Sequence, residues 1–387
     1  MAQRHLDPTD PMAGPAPTGD ALAGYLRAQA TEFLRALRLH RETGSLANGA
    51  EASVDAARAL RRSARRISAS LHTFQPLLDT DWCEGMRPEL AWVSGTLAME
   101  HACTARLERL LSALHRLSGS TALPAQPAGP AADAAAGTHA DLAAGSRAAG
   151  AAPVPQRAAP RSAEPRTHPT STTERGNLTV GAAKAGALLD RQLTLARTRA
   201  HSTALQALGS SRFHAIADKV AVLASEVPLT TTAAANDLRP LATAAEERLK
   251  DAVTALPLVT AGHPYNAAAL VHGLSPDTVP HPQDAPWHQV RLLLRLHRYA
   301  REAVRGEPDG TSVVDLRLLS AGQALNRHRD ASEAAAAAAQ AARTPRIAPA
   351  TAYALGVLHA DQRHEVEAAR FAFQQAWQKE AEAVSTR

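Results

Sequence analysis

The sequence has few aromatic residues and few cysteines, and each scarcity argues against a class of protein. Aromatic residues make up 3% of the 387 residues, so the stacking platforms used by single-stranded nucleic-acid-binding proteins are scarce. The two cysteines, Cys83 and Cys103, show neither disulfide-framework spacing nor a metal-ligand pattern. We therefore expect no disulfide framework, no zinc site and a reducing, cytoplasmic location.

Long apolar runs and catalytic motifs are missing as well. No apolar run is long enough for a membrane span, and the N-terminus lacks the apolar core of a signal peptide. The patterns GxxxxGK[ST], GxSxG and GxGxxG are absent, which argues against phosphate-loop, hydrolase and dinucleotide-binding sites. His359 and His364 are five residues apart, whereas a helical zinc pair needs four. We expect no enzymatic activity, no cofactor and no bound metal.

Positive charge is in modest excess. Lysine and arginine number 42 against 37 acidic residues, for a formal net charge of +5 and a pI near 9.6. Lysine occurs only at Lys184, Lys219, Lys250 and Lys379. A guanidinium group is a planar fork of donors that fits phosphate oxygens, whereas an ammonium is a mobile point charge. The composition favours phosphate recognition, although a GC-rich coding sequence would also raise arginine, alanine and proline together.

Apolar residues recur at helical spacing, and no useful β-alternating run stands out. This pattern predicts an all-α fold with antiparallel packing. Residues 1–18 are punctuated by Pro and Gly, and residues 119–176 consist largely of Ala, Pro, Gly, Ser and Thr, so we predict that both are disordered. The ordered parts are predicted at 19–118 and 177–384. In the second part we expect helices to begin near Leu178, Asn236 and Val313, with a loop at 258–286.

The most informative segment is WHQVRLLLRLHRYAREA, near the centre of the second part. At about 100° per residue, its basic positions fall within roughly 80° of one helix face. These positions are His288, Arg291, Arg295 and Arg298. The apolar residues of the segment point elsewhere and can anchor the helix in a core. A row of guanidinium groups is complementary to a linear polyanion.

A second basic strip occurs in ARALRRSARRISASLHTF, in the first part of the chain. Five arginines lie within roughly 140° of one face, opposite the apolar residues. They are Arg58, Arg61, Arg62, Arg65 and Arg66. Such a stripe is more often a solvated face than a binding site. However, both strips share basic residues at i, i+3 and i+7, which indicates an internal duplication and favours a function.

The two strips resemble the CHAD family, the conserved-histidine α-helical domain. Each half of that family has a helix similar to H-x-x-R-x-x-x-[RK]-[RK] or H-x-x-R-K-x-x-K-R-x-R-Y, followed by a helix with an L-G-x-x-[RH]-D signature. The first pattern is matched by His288, Arg291, Arg295, Arg298 and Tyr299. The second is resembled, with Asn in place of Gly, by Gln323, Leu325, Asn326, His328, Arg329 and Asp330.

The first half departs from the family pattern. Arg58 stands at the histidine position, and Glu100 and His101 replace the Arg and Asp of the second signature. Cationic character survives at Arg58, so anion binding is retained in the prediction. A role that needs a titratable histidine is not expected on that side.

The resemblance implies two antiparallel four-helix-type bundles with pseudo-twofold symmetry, whose basic strips face a shared groove that binds inorganic polyphosphate. Such a protein would target or organise polyphosphate in the cytoplasm, at sites such as polyphosphate granules. The expected binding residues are Arg58, Arg61, Arg62, Arg65, Arg66, His288, Arg291, Arg295 and Arg298. A secondary basic set consists of Arg38, Arg197, Arg199, Arg327 and Arg329.

Three other functions use the same features. Nucleic acid could bind the basic surface, although only Tyr299 places an aromatic side chain within a strip. A helical scaffold could recruit proteins through the insert at 119–176 or through the C-terminal helix. Phosphoanhydride hydrolysis with His288 as the base is the weaker, enzymatic alternative.

Overall fold

The chain is described by a computed structural model for residues 17–44, 50–119, 170–263, 270–271, 274, 281–305 and 315–385, and in this part the fold is all-α, as predicted. The first helices are α1 (Gly19–Gly44), α2 (Ala50–Thr73), α3 (Thr80–Leu117), α4 (Thr170–Leu208) and α5 (Ser211–Ser225). They are followed by α6 (Arg239–Thr254), α7 (Leu258–Ala261), α8 (Ala285–Arg305), α9 (Leu316–Ala342) and α10 (Pro349–Ser385). None of the described helices is long and apolar enough to cross a membrane.

Three hydrophobic clusters hold the helices together. The first joins α1, α2, α5 and the N-terminal part of α3 with the end of α8. The second joins the C-terminal part of α3 to α4, α9 and α10. The third lies between the ends of α6 and α10, α7 and the beginnings of α8 and α9. Because α3 and α8 each contribute to two clusters, the clusters have fixed positions relative to one another.

The amphipathic pattern of α2 explains how its basic side is oriented. Leu60, Ala64, Ile67 and Leu71 follow one another at helical spacing, and each is completely buried in the first cluster. This apolar stripe binds α2 to its neighbours. The arginines between these positions must therefore lie on the remaining faces of the helix.

In α8, apolar residues at the two ends of the helix serve two different cores. Trp287, Val290 and Leu294 pack in the third cluster, whereas Ala300 and Ala303 pack in the first. The helix is therefore held along its whole length, and its basic residues are left on the side next to α2, against which α8 packs.

Some helix boundaries differ from the prediction. Helix α4 begins at Thr170 rather than near Leu178, while α6 and α9 begin at Arg239 and Leu316, slightly later than expected. Extending an existing helix costs little compared with nucleating one, so α4 continues into polar sequence. The predicted loop at 258–286 contains α7 and a 3₁₀ turn, Pro282–Asp284.

Several structural predictions are not tested by this architecture. Most of the predicted disordered insert and of the N-terminal segment lies outside the described residues. The pseudo-twofold arrangement of two bundles and the division of the chain at 118 and 177 stay predictions.

Ile67→Ala should destabilise the fold by about 2–5 kcal/mol, because it removes a completely buried side chain and leaves a cavity. Val54→Ala is a matched control on the same helix, since Val54 is 45% exposed, and should change stability by no more than about 0.5 kcal/mol. Urea unfolding measures both. Equal effects of the two substitutions would contradict the orientation of α2.

Candidate anion-binding groove

Helices α2, α8 and α9 bring five arginines into electrostatic contact. We call the space between them the basic groove, and its arginines are Arg61 and Arg65 of α2, Arg291 and Arg295 of α8, and Arg329 of α9. They come from positions up to 268 residues apart, so only the packing of α2 against α8, and of α8 against α9, unites them. The two basic strips of the sequence thus meet along part of their length.

The groove arginines influence one another's protonation. Burial lowers the pKa of Arg65 to about 10, and the charges of Arg61 and Arg295 add to this effect. Burial also lowers the pKa of Arg291 to about 9, together with the charges of Arg295 and Arg329. Both pKa values stay well above neutrality, so the groove remains a concentration of positive charge at pH 7.

Four of these arginines lack an acidic partner in the described part of the chain. Arg61, Arg65, Arg291 and Arg295 make no ion pair there with a carboxylate. The Nε atoms of Arg291 and Arg295 are also buried without a hydrogen-bond partner among the described residues. Buried polar groups are nearly always satisfied, so unsatisfied donors of this kind fit a site that awaits an acceptor.

Neutral side chains orient two of the groove arginines. Arg65 Nε donates a hydrogen bond to Ser94 Oγ of α3 at 2.9 Å, and Arg291 Nη1 donates to Asn326 Oδ1 of α9 at 3.3 Å. These contacts position the guanidinium groups without neutralising their charge. Beside them lies a cavity of about 480 Å³, lined by Arg65, Arg291, Arg295 and Tyr299 among others, with no acidic side chain among the described residues that line it.

Carboxylates neutralise several arginines at the margins of the groove. Arg66 Nε donates to Glu302 Oε2 at 2.8 Å, and Tyr25 donates to the same oxygen at 3.3 Å. Arg58 pairs with Asp55 at 3.0 Å. That Arg58 and Arg66 bind a polyanion stays a prediction, but both already have a carboxylate partner.

Arg329, from the secondary set, does reach the groove, although it also pairs with Asp330 at 2.5 Å and with Glu333 at 3.6 Å. The positions of the last two predicted strip residues, Arg62 and Arg298, give little information about binding. Arg62 is exposed, and Arg298 lies against Gly322 of α9.

Of the other secondary basic residues, Arg38 pairs with Glu42 on the exposed side of α1. Arg197, Arg199 and Arg327 are exposed. None of these four is among the main charges that shift the pKa values of the groove arginines.

His288 lies at the beginning of the α8 strip, with its ring edge-on to His328 at 5.5 Å between centroids. Its Nε2 atom is buried without a hydrogen-bond partner among the described residues. Burial lowers the pKa of His288, and the charge of Arg291 lowers it while Asp284 opposes the shift. His288 is therefore mainly neutral at pH 7, so the arginines supply the charge of the groove.

A buried ionic network supports the N-terminal end of α8. Asp284 is completely buried, and its carboxylate accepts hydrogen bonds from Arg363 at 2.8 and 3.2 Å and from Arg370 at 2.7 Å. Ser332 of α9 also donates to it. Arg370 donates in addition to Glu367 at 2.7 Å. The network ties the start of α8 to α9 and α10.

Aromatic rings connect this network to the groove. His328 Nε2 lies 3.7 Å from Asp284 Oδ1, and the His328 ring stacks on Trp287 with centroids 5.7 Å apart. Trp287 immediately precedes His288 in α8, so the position of the basic strip depends on this packing. Burial and the charge of Arg370 lower the pKa of His328 well below its usual value, so this histidine is neutral.

Sequence reasoning missed the Asp284 network, although α10 contains a signal for it. Arg363, Glu367 and Arg370 recur at i, i+4 and i+7 on the same side as the buried Val366 and Phe373. Charged residues on an apolar helix face require buried partners.

The described residues contain no group of three His, Cys, Asp or Glu that could hold a metal ion.

Comparisons with known proteins find a matching family and a similar solved structure. The family model of the CHAD domain matches residues 28–339. A solved structure, PptA from Streptomyces chartreusis, shares 71% sequence identity with this chain and has a TM-score of 0.70 to it. The match covers 94% of this chain and 100% of the PptA chain. No curated protein matches the chain.

Asp284→Asn should destabilise the fold by about 3–5 kcal/mol at pH 7, because Arg363 loses its buried counter-charge and Arg370 loses one of its two acidic partners. Burial raises the pKa of Asp284, but hydrogen bonds and charge from Arg363 outweigh it and bring the pKa to about 2. Since the unfolded pKa is about 3.9, the carboxylate stabilises the fold above that pH and loses this effect as the pH falls towards 2. The difference between variant and wild type, measured by urea unfolding, should shrink over that range.

Asp237→Asn provides the control for this prediction. Asp237 pairs with Arg239 on the surface at 2.9 Å, where an ion pair contributes little, and its substitution should leave the urea midpoint nearly unchanged. Equal changes in the urea midpoint of the two variants would contradict the stabilising role of the Asp284 network.

Proposed function

The chain belongs to the CHAD family, and we propose that it binds inorganic polyphosphate in the basic groove and so targets or organises the polymer. The observation that carries the proposal is the convergence of Arg61, Arg65, Arg291 and Arg295 without acidic partners among the described residues. Polyphosphate is a linear polyanion, and guanidinium groups bind phosphate oxygens by strong, charge-assisted hydrogen bonds.

Electrostatic repulsion within the groove supports an anionic ligand. Each groove arginine is close enough to another for its charge to lower the neighbour's pKa. A bound polyanion would replace this repulsion with attraction and would supply acceptors for the buried Nε atoms of Arg291 and Arg295. Both changes favour the bound state over the free state.

Nucleic acid is a weaker candidate for the same groove. Proteins that bind single strands combine basic side chains with aromatic rings on which bases stack. Among the described residues that line the cavity, Tyr299 is the only one with a phenyl, phenol or indole ring. The guanidinium group of Arg66 lies 5.9 Å from the centre of that ring, on one of the faces a base would need.

We propose binding without catalysis. Enzymes that transfer phosphoryl groups usually hold magnesium through carboxylates and orient a nucleophile with a base. The described residues that line the cavity include no carboxylate. Asp284, whose charge most strongly opposes the lowering of the pKa of His288, already accepts hydrogen bonds from two arginines. The groove is thus suited to holding phosphate groups.

Combined substitution Arg65→Ala and Arg295→Ala should weaken polyphosphate binding roughly a hundredfold, since a hydrogen bond to a charged group contributes about 1.5 kcal/mol or more. It should also reduce the slope of log K against log salt by about 1.4, by analogy with single-stranded polyanions. Titration calorimetry at several salt concentrations measures both effects. Orthophosphate release should stay at background throughout.

The control is the pair Arg35→Ala and Arg239→Ala, whose side chains are exposed on α1 and α6 and paired with Glu32 and Asp237. It removes the same charge and should leave affinity nearly unchanged. Equal losses in the two double variants would contradict the site. Displacement of bound polyphosphate by single-stranded DNA at equal charge would favour nucleic acid as the ligand.

A further inference from the structure

The cavity of the basic groove continues beyond Arg65 along α2. Arg61, Arg65, Ser68 and His72 occupy successive turns on one side of this helix, over about 16 Å at 1.5 Å per residue. Of these residues, Arg65, Ser68 and His72 line the groove cavity. His72 also lines a second cavity of about 430 Å³, between the end of α2 and α6. The two cavities therefore adjoin at His72.

Positive charge follows the same path. Arg87 of α3 lines the groove cavity, and Arg248 of α6 lines the second cavity. Partial burial lowers the pKa of His72, and the charges of Arg87 and then Arg248 lower it further, so both arginines lie near the junction. With Arg65 they form a series of cations that begins in the basic groove and ends on a different helix.

Acidic residues are not found among the described residues that line this extension. No aspartate or glutamate is among the described residues lining either cavity. Within the described part of the chain, neither Arg87 nor Arg248 makes an ion pair. The other lining side chains of the second cavity include Thr73, Gln75 and Thr80, which can donate hydrogen bonds to phosphate oxygens.

The opposite end of the groove has a different character. Arg58 is paired with Asp55, and Arg329 is paired with Asp330 and Glu333. A polyanion that extended in that direction would meet carboxylates, and like charges repel. Among the described residues that line the path past His72, no carboxylate is present to repel the polyanion.

We infer that His72 and Arg87 continue the binding path from the basic groove to Arg248, which a polyphosphate chain reaches only when it is longer than the basic groove. This inference rests on the proposed function and extends it to chain-length selection. A short oligomer would be held in the groove cavity by residues such as Arg65, Arg291 and Arg295, without reaching Arg248. A longer polymer would gain the contact with Arg248, so affinity should rise with length until the second cavity is filled.

Arg248→Ala should weaken binding of a long-chain polyphosphate of defined length roughly tenfold, the loss expected for one charge-assisted hydrogen bond, and leave binding of tripolyphosphate unchanged. The salt slope should fall by about 0.7 for the long polymer only. Arg248 is exposed, so its substitution leaves the core intact. Titration calorimetry with the full chain and each polyphosphate measures these effects.

Lys250→Ala is the matched control on the same helix. Lys250 carries the same charge, pairs with Glu246 at 2.7 Å, and lines a different cavity. Equal weakening by Arg248→Ala and Lys250→Ala would overturn the inference, because only the overall charge would then matter. Unchanged long-chain affinity in Arg248→Ala would also overturn it while leaving the proposed function intact. Absence of polyphosphate binding by the wild-type protein would refute both.

Discussion

Repulsion among arginines of α2 and α8 that have no acidic partner in the described part of the chain is the constraint that the packing of the groove must overcome. Arg61, Arg65, Arg291 and Arg295 are brought together although each raises the electrostatic energy of the others. The apolar faces of the same helices offset this repulsion, because their burial in the clusters of the fold is strongly favourable. The fold therefore maintains a concentrated positive charge, and an anionic ligand would lower its energy.

The buried and partly buried arginines occur in two different electrostatic environments. Arg363 and Arg370 are almost completely buried and are neutralised by Asp284 and Glu367, as a low-dielectric interior requires. Arg61, Arg65, Arg291 and Arg295 are partly buried, and the hydrogen-bond partners described for them, Ser94 and Asn326, are neutral. The first group fixes the beginning of α8 against α9 and α10. The second uses that fixed support to present charge to a ligand.

Local sequence patterns were sufficient to predict the all-α fold and the two basic strips. The apolar positions of α2 and α8 recur at helical spacing, so their basic faces follow directly. Contacts between distant parts of the chain could not be read in this way. Nothing local indicates that Glu302 neutralises Arg66, 236 residues away, or that Arg329 joins the groove. Asp284 was missed because it lies outside the α-helices, where no periodic pattern marks a buried residue. Its partners on α10, in contrast, do follow a helical pattern.

The most direct measurement of the central claim is a crystal structure of the protein with bound polyphosphate. The account predicts phosphate groups between α2 and α8, within hydrogen-bonding distance of the guanidinium groups of Arg65, Arg291 and Arg295. Polymer bound to another surface, with these three side chains still lacking an anionic partner, would contradict it.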